Sequence, residues 1–239
     1  MKLTVAVWNM AWWQYKSKNE RAWSFLYDNL KADVALLTEM GAPQNCPFPH
    51  VKWQQIGLSS YYRWGSGIVS RYPLQNCYVP SCVGAVMTAK LCLGKKTPIS
   101  LISMYGLHDK VANSYVANLH RYLSDLTQIF NERSCKVIIG GDFNASLHLE
   151  GKQNNTANAN RLFFERLEDF GLADCMKPFA EYPVQTHCHN SDVTFPWQLD
   201  YLYASHRVAG CVKEAHVVDT ADIREMSDHN PLVFTFDLV

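Results

Sequence analysis

The sequence of 239 residues predicts a single α/β domain over residues 1–239, in which mixed β-sheets are flanked by helices. Three observations predict this class. Apolar runs of strand length recur along the whole chain and are separated by Gly, Pro and Asn. Longer stretches around 116–130 and 159–170 carry apolar residues at helical spacing. No linker, charge block or low-complexity tract divides the chain, and its length suits one domain.

The first half of the chain predicts alternating strands and helices. Its predicted strands share an apolar run bounded by breakers and cover residues 3–7, 33–39, 65–73, 85–93 and 99–105. A helix over residues 22–30 follows Ser17-Lys-Asn-Glu20, which has the form of a capping box. Prolines and other breakers predict a loop at 41–50, and a hairpin turn is expected at 94–97.

The second half predicts two helices and four strands. Apolar positions 116, 119, 123, 126 and 130 predict one long helix, and Leu162, Phe163, Leu167 and Phe170 predict the apolar face of another. Predicted strands cover 137–140, 199–203 and 212–218, and the alternating segment 231–238 predicts a half-exposed strand. Residues 146–157 are expected to form a loop, and residues 181–198, with two Pro, an irregular segment over the site.

Polar side chains of the kind that bind metals or phosphates stand at the ends of these strands. They are Asn9, Glu39, Tyr105 with His108 close behind, Asp142, Asn144, Asp200, Asp228 and His229. In α/β proteins ligands bind at the edge where such strands end. Each residue alone is compatible with an ordinary cap, turn or buried polar group. The recurrence of the pattern favours one shared site.

Several motifs resemble, in order and spacing, those of the endonuclease/exonuclease/phosphatase superfamily, which includes deoxyribonuclease I and the exonuclease III type of enzyme. They are Trp8-Asn9, Leu36-Leu-Thr-Glu39, Gly67-Ile-Val-Ser-Arg71, Gly140-Gly-Asp-Phe-Asn144, Leu199-Asp-Tyr201 and Ser227-Asp-His-Asn-Pro231. The resemblance extends from residue 3 to residue 236. It implies a four-layered α/β/β/α sandwich, with two mixed sheets packed face to face, helices outside, and the site at one end of the sheets.

The resemblance also implies roles for the strand-end residues. Asn9, Glu39 and Asp228 would surround a divalent metal, and Asp200 would support His229. Asp142 and Asn144 would face the attacked phosphate, with either Tyr105 or His108 beside them. Which of Tyr105 and His108 contacts the phosphate stays open. The sequence Tyr105-Gly-Leu-His108 departs from the Tyr-x-x-Asn of the apurinic endonucleases, which argues against that subgroup.

The chemistry of phosphoester cleavage fits these residue types. A hard cation with oxygen ligands, Mg²⁺ with Mn²⁺ as a substitute, offsets charge on the phosphate and prepares a water molecule. Either Asp142 or His229 is a suitable general base; our hypothesis gives the water to Asp142 and a phosphate oxygen to His229. The expected activity is therefore that of a metal-dependent phosphodiester hydrolase.

The charge composition bears on the substrate but does not select a single one. Basic and acidic residues number 22 each, so no overall positive field draws the protein to a long duplex. A nuclease acting on DNA or RNA is the first hypothesis, and a phosphodiesterase or phosphatase of a small metabolite or lipid headgroup is the second. A non-catalytic binding module of the same fold is the third. The sequence does not indicate an oligomeric state.

Further aromatic, histidine and cysteine residues are candidates for the site. Aromatic residues at loop-like positions either stack on a base or pack under loops: Trp12, Trp13, Tyr15, Tyr61, Tyr62, Trp64 and Trp197. His187 and His189 are candidates for the pocket lining, and Arg71 is interpreted as structural. Cys188 between these histidines would suit zinc, but no CxxC or HExxH accompanies it, so a zinc site is not predicted.

The location expected from the sequence is the cytoplasm. The chain enters a predicted strand directly after Met1, which leaves no room for the apolar run of a signal peptide. Eight scattered cysteines without a CxxC pair are read as reduced thiols. No stretch approaches the length of a membrane span.

Overall fold

Two six-stranded mixed sheets form the framework of the protein in the computed structural model. The structure describes residues 1–15, 19–57, 63–78, 81, 84–131, 136–147, 154–189 and 192–238. The strands of the first sheet are β1 Lys2–Asn9, β2 Val34–Gly41, β3 His50–Gln55, β4 Trp64–Ser70, β13 Val212–Val217 and β14 Leu232–Asp237. Those of the second are β5 Leu74–Asn76, β6 Val86–Leu91, β7 Ile99–Met104, β8 Val137–Asp142, β9 Leu172–Asp174 and β12 Asp200–Ser205. The first sheet has the order β13-β14-β1-β2-β4-β3 and the second the order β5-β6-β7-β8-β12-β9.

Short helices and one hairpin complete the fold. The hairpin pairs β10 His187–His189 with β11 Asp192–Trp197. The helices are α1 Trp12–Tyr15, α2 Asn19–Ser24, α3 Val116–Asp125, α4 Thr127–Phe130, α5 Asn154–Asp169, α6 His206–Ala209 and α7 Ala221–Arg224. A π-helical turn, Phe25–Asn29, continues α2. None of the helices in the described part of the chain is long and apolar enough to cross a membrane.

Apolar side chains fill three layers of contact between these elements, which gives the predicted four-layered α/β/β/α sandwich. Between the sheets, Val5, Leu36 and Leu202 belong to one buried cluster. On the outer face of the second sheet, residues of α3 and α5 pack over the strands. On the outer face of the first, residues of α2 and the π-helical turn do the same. Each burial removes apolar surface from water, which is the main force that holds the layers together.

Strand direction brings the candidate residues to one end of the sandwich. Strands β1 and β2 are parallel neighbours, as are β7 and β8, so their carboxyl ends coincide in pairs. Strand β12 runs antiparallel to β8 and begins where β8 ends, with Asp200 opposite Asp142. At this end Gly141 has φ 142°, and a Cβ there would lie 2.1 Å from the carbonyl oxygen of Met104. Only glycine fits this close approach of two strands.

The structure corrects several details of the sequence prediction. The predicted helix 116–130 is interrupted at Leu126, which separates α3 from α4. Strand β3 was not predicted, because its residues are only half-buried and include few apolar ones. The segment 181–198, expected to be irregular, contains the β10–β11 hairpin. Strand β14, expected to be half-exposed, also buries Val233 on its other face.

Two further details concern single positions. Leu162, assigned to the apolar face of a helix, is 48% exposed because Phe163 and Leu167 point to the core instead. The capping-box residue Ser17 lies outside the described residues.

Candidate active site

The loop that carries His229 is anchored to the end of β1. The backbone amide of His229 donates to Ser227 Oγ at 3.0 Å, and Ser227 Oγ donates to the carbonyl oxygen of Asn9 at 2.7 Å. The indole of Trp8 donates to the carbonyl oxygen of His229 at 2.9 Å. These buried bonds fix the main chain of the Ser-Asp-His-Asn segment against the sheet, so its side chains have a defined direction.

His229 is paired with Asp200, as the resemblance implied. Nδ1 of His229 lies 2.7 Å from Oδ2 of Asp200, and both side chains are almost fully buried. Two backbone amides, those of Leu199 and Asp200, donate to Thr186 Oγ1 and hold the start of β12. A carboxylate in this position fixes the imidazole tautomer and leaves Nε2 facing the site.

The amide of Asn9 lies among the acidic residues and links them. Its Nδ2 donates to Oδ2 of Asp142 at 2.8 Å and lies 3.5 Å from Nε2 of His229. It also hydrogen-bonds to the carboxylate of Glu39. Its Oδ1 accepts the backbone amide of Ala11 at 2.9 Å. Asn9 therefore acts here as a donor between two carboxylates, with one lone pair of its oxygen already engaged.

The turn after β8 holds Asp142 and Asn144 together. The backbone amide of Asn144 donates to Oδ1 of Asp142 at 2.8 Å, and its Nδ2 donates to the carbonyl oxygen of Gly106 at 3.2 Å. Asn144 has φ 48°, and Glu39 on β2 has φ 45°. Backbone in this region is strained for residues other than glycine, and such strain tends to gather at functional sites.

Glu39 is buried under two aromatic side chains. The indole of Trp13, which is 55% exposed, and the hydroxyl of Tyr105 both hydrogen-bond to its carboxylate. Burial raises the pKa of Glu39, and His229 and these donors only partly offset it. Burial, together with the charges of Glu39 and Asp142, raises the pKa of Tyr105 well above its usual value. Tyr105 is therefore a neutral donor at physiological pH.

Asp142 and His229 form a coupled pair whose two pKa values are both raised. Nε2 of His229 lies 3.8 Å from Oδ2 of Asp142. Burial raises the pKa of Asp142; the imidazolium lowers it, and the charges of Asp200 and Glu39 raise it again. Burial by itself lowers the pKa of His229, but Asp200 and Asp142 outweigh that effect. A protonated imidazole beside a carboxyl group that titrates near neutrality suits acid–base chemistry.

Asp228 lies beside a different histidine. Its Oδ2 is 3.8 Å from Nε2 of His187, and the side chains of His187 and Asp228 are 14% and 22% exposed. Burial raises the pKa of Asp228, yet the neighbouring imidazoles of His187 and His229 leave it below the usual value. Asp228 therefore stays ionised. The pKa of Tyr15 is raised, mainly by burial and secondly by the nearby charge of Asp228.

His108 lies further out than Tyr105. Its ring packs edge-on against Tyr115, with centroids 4.8 Å apart, on a loop closed by reciprocal backbone bonds between Asp109 and Ser114. Tyr115 is 41% exposed. Burial and the charges of Asp142 and Glu39 raise the pKa of Tyr115. Sequence reasoning missed Tyr115, since it stands in a loop with no motif around it.

The remaining candidates divide between the site and the core. Trp12 and Trp64 pack with Tyr105 in a small apolar cluster. Arg71 is structural, because its guanidinium lies 3.6 Å from the centroid of the Tyr27 ring and donates to main-chain carbonyl oxygens. Tyr61 and Tyr62 lie outside the described residues, as does the side chain of His189.

The residues at this end of the sandwich fit a divalent cation. The carboxylates of Glu39 and Asp200 are near enough to raise the pKa of Asp142 by their charge. Asp228 lies beside the imidazoles of His187 and His229. Oδ1 of Asp200 is buried and has no hydrogen-bond partner among the described residues. The donors are hard oxygens, which suit Mg²⁺ or Mn²⁺. A possible metal site formed by His187, Asp228 and His229 is also present.

Comparisons with known proteins agree with this geometry. A family model described as the Endonuclease/Exonuclease/phosphatase family matches residues 6–229. The comparison with curated proteins gives no match.

Among solved structures, similarity extends over the whole chain. An AP endonuclease from Archaeoglobus fulgidus is 17% identical with a TM-score of 0.76, covering 99% of this chain and 100% of that one. A 3′ phosphatase, NExo from Neisseria bound to product DNA hairpin, is 19% identical with a TM-score of 0.76, covering 99% and 100%. The endonuclease domain of TRAS1, a telomere-specific non-LTR retrotransposon, is 19% identical with a TM-score of 0.70, covering 100% and 99%. These proteins share the fold of this chain.

Proposed function

The chain belongs to the Endonuclease/Exonuclease/phosphatase family, whose members are metal-dependent phosphoester hydrolases. From this premise we propose that it is a divalent-metal-dependent phosphodiester hydrolase that acts on DNA or RNA. The observation that carries the proposal is the buried chain of contacts from Asp200 through His229 and Asn9 to Asp142. A charged imidazole next to a carboxyl group that can accept a proton is what in-line attack of water on a phosphodiester requires.

His229 and Asp142 divide the work in this proposal. Asp200 holds His229 protonated, so Nε2 donates to a non-bridging phosphate oxygen and stabilises the charge that develops there. Asp142, whose pKa burial raises, accepts the proton of the attacking water, and Asn144 fixes its orientation through the bond to Oδ1. Of the two outer candidates, Tyr105 is a neutral phenol that hydrogen-bonds to Glu39, whereas His108 packs against the ring of Tyr115.

The metal in this proposal is Mg²⁺, with Mn²⁺ as a substitute, and Glu39 and Asp228 would hold it through charged oxygens. Asn9 would add a neutral oxygen by sharing the Oδ1 that accepts the amide of Ala11. The chemistry supplied by a cation there would be positive charge that offsets the phosphate and favours ionisation of water. The burial that raises the pKa of Glu39 is itself opposed by a bound cation, so metal binding and ionisation of Glu39 support each other.

A panel of substrates tests the proposal. The purified chain is incubated with Mg²⁺ and plasmid DNA, a single-stranded oligonucleotide, an abasic duplex or bis-p-nitrophenyl phosphate, with and without EDTA. We expect cleavage of nucleic acid that EDTA stops and that Mg²⁺ or Mn²⁺ restores. The His229→Asn variant, purified in parallel, controls for contaminating nucleases. Hydrolysis that persists in EDTA, or in the His229→Asn sample, contradicts the proposal.

A small phosphoester is the second candidate substrate, and the charge of the chain favours it. The protein has 22 basic and 22 acidic residues, and the exposed aromatic side chain of Trp13 hydrogen-bonds to the carboxylate of Glu39. A binding surface for duplex DNA normally carries a basic stripe. Cleavage of bis-p-nitrophenyl phosphate without cleavage of any nucleic acid would assign the enzyme to this second class.

A further inference from the structure

His187 makes two contacts at the candidate active site that the proposed hydrolysis does not use. Its Nε2 lies 3.8 Å from Oδ2 of Asp228, and its ring centroid lies 4.4 Å from that of His229. One ligand atom from each of these three residues lies within 4.8 Å of the other two. Two imidazoles and one carboxylate therefore surround a single small volume.

Backbone pairing holds these side chains together. His187 and His229 form an antiparallel β-bridge. On either side of it, the amide of Cys188 donates to the carbonyl oxygen of Asp228 at 2.8 Å, and that of Asn230 donates to the carbonyl oxygen of Thr186 at 2.7 Å. Directly opposed residues on paired strands place their side chains on the same face. The approach of the two imidazoles is therefore built into the main chain.

We propose that His187, Asp228 and His229 form a second metal site that takes a borderline transition-metal cation, Zn²⁺ or Co²⁺, in preference to Mg²⁺. Imidazole nitrogens suit such cations, whereas Mg²⁺ takes oxygen ligands almost exclusively. Two histidines, one carboxylate and an open position are the ligand set of many mononuclear zinc sites. The oxygen-rich group around Glu39 and the nitrogen-rich group around His187 thus differ in the cation they select.

Asp200 supplies the outer partner that such a site needs. A metal-binding histidine nearly always donates its other ring N–H to a carboxylate or carbonyl oxygen. Asp200 accepts from Nδ1 of His229 at 2.7 Å, which leaves Nε2 of that ring for a cation. Ligand atoms around one tetrahedral zinc lie about 3.3 Å apart, given Zn–N and Zn–O bonds of roughly 2.0–2.1 Å. The ligand atoms, within 4.8 Å of one another, need only small side-chain movements to meet an ion.

One consequence rests on the proposed function. Asp228 and His229 belong both to the Mg²⁺-dependent machinery and to the second site. A Zn²⁺ ion bound to His187 withdraws both residues from hydrolysis, so Zn²⁺ inhibits the Mg²⁺-dependent reaction. The binding site itself does not depend on the reaction, and it is tested without substrate.

Cobalt binding to the full-length chain, followed by visible absorption in the absence of Mg²⁺, tests the site. We expect one equivalent of Co²⁺ to give ligand-field bands without a thiolate charge-transfer band, and Zn²⁺ to displace it. His187→Asn should weaken binding by at least about 100-fold, because even the loss of an outer partner costs 10–100-fold. His216→Asn, which removes an exposed imidazole from β13, is the matched control and should bind as the wild type does.

Two further measurements protect the test from a folding defect. His187→Phe keeps a ring against His229 while removing both nitrogens, and thermal melting reports whether each variant is folded. In the wild-type protein, NMR of the Co²⁺ complex should show shifted ring protons from two histidines. Equal Co²⁺ affinity in the wild type and both variants overturns the proposal, as does a thiolate band or the absence of shifted histidine protons.

The outcomes separate this inference from the proposed function. Co²⁺ binding that depends on His187, with no hydrolysis of any substrate, supports the metal site and contradicts the phosphodiesterase. Mg²⁺-dependent hydrolysis without His187-dependent Co²⁺ binding does the reverse.

Discussion

The buried pair of Asp200 and His229 leads to a quantitative prediction: Asp200→Asn lowers the pKa of His229 by about one unit. Oδ2 of Asp200 lies 2.7 Å from Nδ1 of His229, and both side chains are almost fully buried. Burial alone lowers the pKa of the imidazole, but the charges of Asp200 and Asp142 raise it to about 10. Removing one of these charges must therefore move the pKa down.

The magnitude follows from the bond that the substitution leaves. Asn keeps an oxygen that accepts from Nδ1–H, but the bond changes from a charge-assisted one of about 1.5–3 kcal/mol to a neutral one of about 1 kcal/mol. The difference of roughly 0.5–2 kcal/mol is centred near one pKa unit, at about 1.4 kcal/mol per unit. Asp200 also raises the pKa of Asp142 by repulsion, so that carboxyl group should ionise at lower pH in the variant.

In Asp200→Asn, both the activity and the stabilisation that depend on protonated His229 should be lost at a lower pH than in the wild type. Hydrolysis that needs protonated His229 is lost as pH rises through its pKa, so the basic limb of the pH–rate profile moves about one unit lower in Asp200→Asn. The folded-state pKa of His229 lies above its ordinary value of 6.5. The stabilisation from the pair is therefore complete below that value and lost as pH rises through the folded pKa. In the variant the loss is complete at a lower pH, because the folded-state pKa of His229 is lower.

NMR titration of the histidine rings measures the shift directly, with His229→Asn used to assign the resonance. Asp174→Asn is the matched control, because Asp174 is another shielded carboxylate on the same sheet as Asp200. Its Oδ2 accepts a hydrogen bond from the hydroxyl of Tyr182 at 2.6 Å. An unchanged titration of His229 in Asp200→Asn would refute the reasoning. An equal shift in Asp174→Asn would also refute it, since the effect would then not come from the contact.

The other substitutions test separate parts of the site. Asp142→Asn should lower turnover by about 10²–10⁴-fold, measured by steady-state kinetics, because it removes the proposed general base; near-normal turnover would transfer that role elsewhere. Trp13→Phe removes a donor to Glu39, so the pKa of that carboxyl rises further and half-maximal activity should require several-fold more Mg²⁺; an unchanged Mg²⁺ dependence would exclude this role. Gly141→Ala forces a Cβ against a main-chain oxygen and should lower the melting temperature by several degrees, from about 1–3 kcal/mol of strain. Gly94→Ala, where φ is positive but a Cβ would have no atom within 4 Å, should lower the melting temperature less. An equal fall in both variants would show that positive φ, and not the contact with the main-chain oxygen, causes the effect.

The sandwich could be predicted where the sequence encodes structure locally. Strands β1, β2, β8 and β12 are buried on both faces, so each shows in the sequence as an apolar run of strand length. Strand β3 was missed because His50-Val-Lys-Trp-Gln-Gln55 pairs along one edge with half-buried side chains and shows no apolar run. The β10–β11 hairpin was missed because Pro196 argued against a strand.

The site was predictable in its residue types but not in its contacts. Polar residues at strand ends are visible in the sequence, and strand direction alone brings them near one another. The bond from Trp13 to Glu39 and the approach of His187 to Asp228 depend on tertiary packing between distant segments. No local pattern marks such pairs.

The pairing of β12 with β8 has a consequence for how the enzyme matures. The register that sets Asp200 opposite Asp142 also decides whether His229 finds a carboxylate. A slip of one residue would turn Asp200 to the opposite face of the sheet and offer Leu199 or Tyr201 in its place. Such a molecule would retain most of its secondary structure, and its circular dichroism would pass as native. It would nevertheless be inert, so recovery of hydrolysis after refolding reports correct strand alignment more strictly than any spectrum of the backbone.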